Sequence, residues 1–346
     1  MMKKRIMALT LTGIMAASLL TGCGLNDSAS AATIDGTTLT AGQLNFYARY
    51  LQSQYETYYK AYFGDEMWTT EVEDGVTYEQ HIKESALEEM ENMILLEAHM
   101  EDYDVSISDE EQSLIEETAA SFVEANDEED LKDISGSEEV VERVLTLMAI
   151  EQKMEPVIEA EADTDVTDEE AAQKSMNYVC FSYTTTDDEG NTVDLSDDEK
   201  AEALENAKAL AEAAKNGEDF AALANEYGVD ISTLTFDGDD ESPSADLIQA
   251  ADALKEGETT EAIETDTGVY VAKLTSEFDE AATEDMKTTI ANERMSDHYT
   301  EVLDGYRDDA EISENKDILD KISFTQLTVT IFQDETEDET TTDSAE

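Results

Sequence analysis

The sequence predicts an α+β protein in which a small αβ domain is inserted into a mostly helical one, and three observations carry that reading. Capped amphipathic helices fill the chain up to about residue 174. At Met176 the pattern changes to a β-rich run, after which short helices and strands alternate as far as Leu274. A long helix, Glu280 to Asp308, then returns to the helical pattern. The expected organisation is a helical domain of residues 33–174 and 279–324, an αβ domain of 175–278, a possible strand at 325–332 and a disordered acidic tail at 333–346.

Each element has its own signal. Thr33 to Leu39 reads as a short strand and turn. Thr40 with Gln43 forms a capping box for a first helix, where Leu44, Tyr47, Leu51, Tyr55, Tyr58 and Tyr62 recur at three- and four-residue spacing. A second helix is expected from Tyr78 to Glu101, with Leu87, Met90, Ile94 and Ala98 on one stripe. Ser108 with Glu111 caps a third, Ser137 to Ile158 reads as a fourth, and Thr167 with Glu170 starts a short fifth. In the αβ part, Met176 to Tyr183 is a strand followed by the turn signal Asp188 to Asn191. Ser196 with Glu199 caps a helix stopped by Gly217, and Phe220, Leu223, Ala224 and Tyr227 make a shorter one. A helical turn around Leu247 to Leu254 precedes strands at Thr260 to Glu264 and Gly268 to Leu274.

Composition excludes some functions. The 346 residues hold 87 acidic and 20 basic side chains, for a net charge of -67. Such a field repels phosphate backbones, so no nucleic-acid partner is expected. At 40% hydrophobic residues the chain can still bury a core.

The first 22 residues read as a targeting segment. Lys3, Lys4 and Arg5 give a positive start, Ile6 to Leu20 an apolar run too short for a comfortable span, and Leu20-Thr21-Gly22-Cys23 closes it. The tetrapeptide resembles the lipobox of bacterial lipoproteins, which implies a lipid on the Cys23 thiol and a tether over 23–32. The expected location is therefore the cell membrane, by a lipid anchor on its extracytoplasmic face. An ordinary secretory peptide is the other reading. With Cys23 lipidated only Cys180 remains, and no intramolecular disulfide can form.

Three segments of the αβ part resemble parvulin-type prolyl isomerases. Asn216 to Tyr227 is similar to their G-x-D-F-x-x-L-A-x-x-Y, Ala253 to Glu258 to A-L-K-x-G-E, and Thr265 to Val271 to T-x-x-G-x-H-I. Outside them, Ile34-Asp35-Gly36, Val105 to Glu111 and Val166 to Glu170 are similar to the chaperone domain of exported foldases of the PrsA and SurA type. The resemblance implies a helical chaperone domain carrying a parvulin module, unfolded or partly folded exported proteins as partners, and no cofactor. It also implies an apolar proline pocket beside two His and one Cys or Asp. Of the three His, none lies between 175 and 278. By register the family's polar positions fall on Cys180, Asp230 and Tyr270, with Thr265 as the hydroxyl residue, and Leu247 stands at a pocket position. Whether such a site is an enzyme is open, because the His pair is absent while the reaction requires no single proton-transfer group.

Each candidate has a plainer reading. Cys180 is a small buried hydrophobe, Tyr270 a space filler and Asp230 a turn residue after Gly228. Asp237 to Glu241 fails the calcium-loop pattern, and His81, His99 and His298 lack ligand spacing, so no metal site is expected. The first helix is apolar on several faces, and Tyr50, Tyr59, Phe63 and the following Trp68 read either as core or as a client-binding groove. A solute-binding lipoprotein is the remaining alternative, but it needs two αβ lobes.

Overall fold

The computed structural model describes residues 14–18, 25–64, 66–73 and 75–331. In chain order, β1 (Ile14–Ser18), β2 (Ser30–Ile34) and β3 (Thr37–Thr40) lead into α1 (Ala41–Phe63). The hairpin β4 (Glu71–Glu73) and β5 (Val76–Thr77) precedes α2 (Tyr78–Ala98), α3 (Asp109–Ala125), α4 (Glu128–Asp133) and α5 (Glu138–Glu159). Then come β6 (Lys174–Ser182), β7 (Thr184–Thr186), β8 (Thr192–Asp194), α6 (Asp197–Lys215), α7 (Phe220–Tyr227), β9 (Ile231–Phe236), α8 (Ala245–Asp252), β10 (Ile263–Glu264) and β11 (Gly268–Ser276). The last elements are α9 (Glu280–Asp309), β12 (Ile312–Glu314) and β13 (Leu327–Ile331). The α+β reading holds. The chain divides into two compact units, Asp163–Ser296 and the residues on either side of it.

In the helical unit, capping fixes the helix starts. Thr40 Oγ1 accepts from the Gln43 amide and Gln43 Oε1 accepts from the Thr40 amide, and Ser108 with Glu111 repeats the arrangement on α3. Phe46, Met90, Ile94, Phe122, Val144 and Leu145 share one core, with Phe46 and Phe122 edge to face at 5.5 Å. β12, β2 and β3 form a small antiparallel sheet, and β13 pairs antiparallel with β1.

The seam that α1 and α2 make with the segment after β12 is polar. Arg49 donates to the Ser323 carbonyl at 3.0 Å, Gln52 to those of Phe324 and Leu327, and Lys83 to those of Leu319 and Ile322. These buried side chains satisfy carbonyls of a segment that joins no ladder before Leu327, where β13 begins. Burial brings the Arg49 guanidinium down to about 10, against the pull of Glu79 and Glu56.

The stripe expected on α1 is therefore wrong in its second half. Leu44 and Tyr47 are buried, whereas Tyr58 and Tyr62 are exposed and Gln52 and Glu56 are buried instead. Counting apolar positions cannot detect a later segment laid along the polar side. Two further expectations fail. Thr167 caps a single turn rather than a helix, and the strand expected from Thr260 shrinks to β10 with a bridge from Thr259 to Lys273.

In the unit Asp163–Ser296 the sheet order is β10-β11-β6-β9, with every pairing antiparallel. Val179, Phe181, Val269 and Val271 face α6 and α7, while Met176, Tyr270, Ala272 and Leu274 join Leu247 and Ile248 of α8. This alternation follows from the two-residue period of strands. The incoming and outgoing chain are stitched together. The Asp279 amide donates to the Gln173 carbonyl at 2.7 Å, the Gln173 amide to Thr283 Oγ1 at 3.1 Å, and Ser175 Oγ to the Asp279 carboxylate. Lys287 pairs with Asp168 and Arg294 with Glu170, so residues from Asp163 and the first half of α9 belong to this unit.

Cys23 and the tail from 333 lie outside the described residues. Among the described residues no helix is long and apolar enough to cross a membrane.

Glu151 of α5 gives the helical unit a pH dependence. Burial, with like charge from Glu89 and Glu155, raises its carboxyl to about 7. The folded state thus holds this proton more tightly than the unfolded chain, whose carboxyl titrates near its ordinary value of about 4.3. Its contribution to stability falls as pH rises between those values and is level above pH 7. Glu151→Gln should stabilise the protein by about 1–2 kcal/mol at pH 8 and by much less at pH 4, read by denaturant unfolding. An equal effect at both pH values would show that Glu151 is not held this way.

Candidate functional site

The sheet of the second unit is set by one close approach. A Cβ on Gly268 would lie 2.6 Å from the Phe181 carbonyl oxygen and 3.0 Å from Cys180 Sγ, so β11 can start against β6 only with glycine there. From that point the register places Tyr270 opposite Cys180 and Ala272 opposite Tyr178. All lie on the α8 side of the sheet.

At this end of the sheet is a cavity of about 480 Å³. β6 contributes Tyr178, Cys180 and Ser182, and β11 contributes Tyr270. The rest of the lining comes from the turn after α7 and from β9, which pairs with β6 on the side away from β11. Gly228 ends α7 in the left-handed conformation (φ 67°), which glycine adopts without strain, and the chain then presents Val229, Asp230 and Ser232. Pro243 closes the rim.

Two polar groups stand together on the β6 and β11 side. Thr267 Oγ1 lies 3.5 Å from the Tyr270 hydroxyl, and Tyr270 is opposite Cys180 in the strand pairing. The bond from Thr267 favours the Tyr270 phenolate, but burial and Cys180 outweigh it and the hydroxyl titrates above its ordinary value. Burial likewise pushes the Cys180 thiol up, against the opposite effect of Tyr270. Both groups are neutral at pH 7. This wall can offer hydrogen bonds and a polarisable sulfur, but neither a thiolate nucleophile nor a base.

Of the residues singled out in the sequence, Cys180, Asp230 and Tyr270 come together on the cavity. Thr265 does not line it. Its hydroxyl donates to the Gly268 carbonyl at 2.9 Å and holds the turn before β11. Leu247 is fully buried in the core with Tyr270 and Met176, so it supports the cavity from behind. Tyr178, Pro243 and Thr267 were missed. Tyr178 was legible, since it stands two residues before Cys180 and strand periodicity puts both on one face.

In the helical unit the four aromatic candidates separate. Trp68 is buried, stacked on Tyr78 and donating to Glu56 Oε1 at 2.9 Å, which agrees with the core reading of it and not with the groove. Tyr50 is half-buried against the core. Tyr59 and Phe63 are 48% and 65% exposed and stand beside exposed Tyr58 and Tyr62, which makes the last turns of α1 an open aromatic surface.

An antiparallel four-stranded sheet with helices on both sides and a mixed apolar and polar cavity at one end defines a small αβ binding module. Residues 184–286 match the family model of the PPIC-type PPIase domain, and this part of the chain is such a domain, of the parvulin class. Asp230, Thr265 and Tyr270 fall inside the match, while β6, with Tyr178 and Cys180, precedes it.

Among solved structures, the chain is similar to a SurA-like chaperone of Campylobacter jejuni, one of the structurally related pair PEB4 and Cj1289. The identity is 13%, with 83% of this chain and 99% of that chain covered and a TM-score of 0.31. It is similar to the peptidylprolyl isomerase PrsA of Bacillus cereus at 18% identity, covering 86% and 100%, with a TM-score of 0.32. For the foldase protein PrsA of Streptococcus pneumoniae the figures are 18%, 74% and 98%, with a TM-score of 0.29. Whole-chain likeness at these scores carries none of the functional conclusion. No curated protein matches the chain.

The close approach at Gly268 can be tested directly. Gly268→Ala should cost about 1–3 kcal/mol by forcing β11 off β6. Gly238→Ala is the control in the same unit, since its Cβ would meet nothing nearer than 3.6 Å and should cost little. Equal melting temperatures for the two variants would contradict the register argument.

Proposed function

We propose that this chain is a membrane-anchored, extracytoplasmic foldase: the helical unit holds unfolded exported polypeptides, and the parvulin-type domain binds their Xaa-Pro segments with weak isomerase activity. The observation that carries this reading is the coincidence of the PPIC-type match at 184–286 with a cavity walled by Asp230 and Tyr270.

The chemistry limits the rate. Rotation about a peptide bond faces a barrier of about 18–20 kcal/mol, and a catalyst must favour the twisted amide over either planar form. The cavity supplies a place for the ring beside Tyr178 and Pro243, and the neutral Tyr270 hydroxyl as a hydrogen-bond donor near the amide. In the same lining, Asp230 places a carboxylate where the family has a polar residue. The imidazole pair of the family is replaced by Cys180 and Tyr270, both of which are held neutral. Positioning is thus retained while much of the polar stabilisation is lost.

Client holding falls to the aromatic surface at the end of α1, where Tyr59 and Phe63 offer large contact area at low entropic cost. An active isomerase using Asp230, Thr265 and Tyr270 is the second reading, favoured by the intact cavity. Thr265 would then act through the turn it holds. A solute-binding lipoprotein has less support, because one of the two units is a bundle of α1 to α5 rather than a second αβ lobe.

Replacing residues 175–278 by a short Gly/Ser linker should leave a folded helical unit that still suppresses client aggregation, since Gln173 and Asp279 already meet. The full chain should isomerise an Xaa-Pro tetrapeptide far more slowly than a parvulin with its His pair. Turnover comparable to such a parvulin, abolished by Asp230→Ala, would establish the enzyme reading instead. Loss of aggregation suppression in a shortened protein that still folds would move client binding into the parvulin-type domain.

The anchor is tested separately. Cys23→Ser should abolish lipid labelling and shift the protein out of the membrane fraction. Unchanged labelling and retention would remove Cys23 from the account.

A further inference from the structure

Beside the aromatic end of α1 lies a second cavity, of about 210 Å³, lined by Glu56, Lys60, Gly64, Met67, Trp68, Phe324 and Thr325. With liquid water occupying about 30 Å³ per molecule, this is room for one side chain. Its walls are apolar where Trp68 and Phe324 meet, their ring centroids 4.8 Å apart. Its polar feature is Glu56. The residue is only 5% exposed, and its Oε1 accepts from Gln52 Nε2 at 2.7 Å and from Trp68 Nε1 at 2.9 Å. Its Oε2 is buried with no hydrogen-bond partner. A buried carboxylate oxygen left unpaired forfeits a strong interaction, and a guest that supplies donors recovers it.

We propose that this cavity receives an arginine side chain of an extended client polypeptide, with Glu56 as its counter-charge and the rings of Trp68 and Phe324 as its walls. The inference rests on the client-holding reading of the helical unit and names what that unit selects. Two arguments favour arginine. A guanidinium is weakly hydrated and presents a rigid fork of donors to a carboxylate, so it can reach Glu56 past Trp68 and Phe324, whose rings pack edge to face on each other and already meet Tyr78 and the Arg49 guanidinium. The net charge of -67 concentrates cationic segments around the protein before any contact is made. Apolar neighbours of the arginine would then lie on exposed Tyr59 and Phe63.

Trp68 is the only tryptophan of the chain, so its fluorescence reports on the cavity itself. The full chain is titrated with an unstructured peptide carrying one arginine between two leucines, and with the same peptide carrying neutral citrulline in its place. The arginine peptide should shift the Trp68 emission and bind about tenfold tighter than the citrulline peptide. Glu56→Gln, which keeps an acceptor for Gln52 and Trp68, should bring the two affinities together.

Equal affinities in the unaltered protein would overturn the proposal whether or not the variant folds, and so would a preference that survives Glu56→Gln. If the full chain suppresses client aggregation while binding both peptides alike, only the arginine site fails. If it does not suppress aggregation at all, the client-holding reading falls and the site with it.

Discussion

The antiparallel pairing of β6 with β11 is the constraint on which the parvulin-type domain depends. Because Gly268 has no Cβ, the start of β11 can lie against the Phe181 carbonyl, and that contact sets the register along both strands. A shift of β11 by one residue would turn Tyr270 to the α6 side and bring Val269 and Val271 to the side of Cys180. Leu247, buried behind Tyr270, and Thr265, bonded to the Gly268 carbonyl, both serve this register. Two residues expected to touch a substrate thus act by holding those that line the cavity.

The helical unit answers a different constraint, that of carrying a buried length of chain that joins no ladder before Leu327. Arg49, Gln52 and Lys83 supply donors to carbonyls between Leu319 and Leu327, and Phe324 is seated between Trp68 and the Arg49 guanidinium. This seam uses the polar side of α1. The helix therefore turns its late tyrosines outward, and the exposed aromatic surface and the cavity at Glu56 follow from the same choice of face.

Elements whose signals are local were legible in the sequence. The capping boxes at Thr40, Ser108 and Ser196 mark helix starts that the structure reproduces, because a cap is made by residues three apart. The cavity was legible through Cys180, Asp230 and Tyr270, where motif spacing fixed the register. What could not be read depends on distant partners. The burial of Trp68 comes from Phe324 and Tyr78 packed on it, and the polar inward face of α1 comes from a segment some 270 residues later. The missed helix α4 has its own reason: in Glu128–Asp133, six residues hold one apolar side chain, Leu131, too few to show a period.

Chemical-shift mapping with a proline tetrapeptide, combined with exchange spectroscopy between its cis and trans forms, tests the central claim most directly. The account predicts shifts confined to Tyr178, Cys180, Asp230 and Tyr270 and their neighbours, with exchange only modestly faster than in the free peptide. Fast exchange with the same shifts would show that Tyr270, Cys180 and Asp230 replace the imidazole pair in full. Shifts absent from these residues would contradict the assignment of the cavity as the proline site.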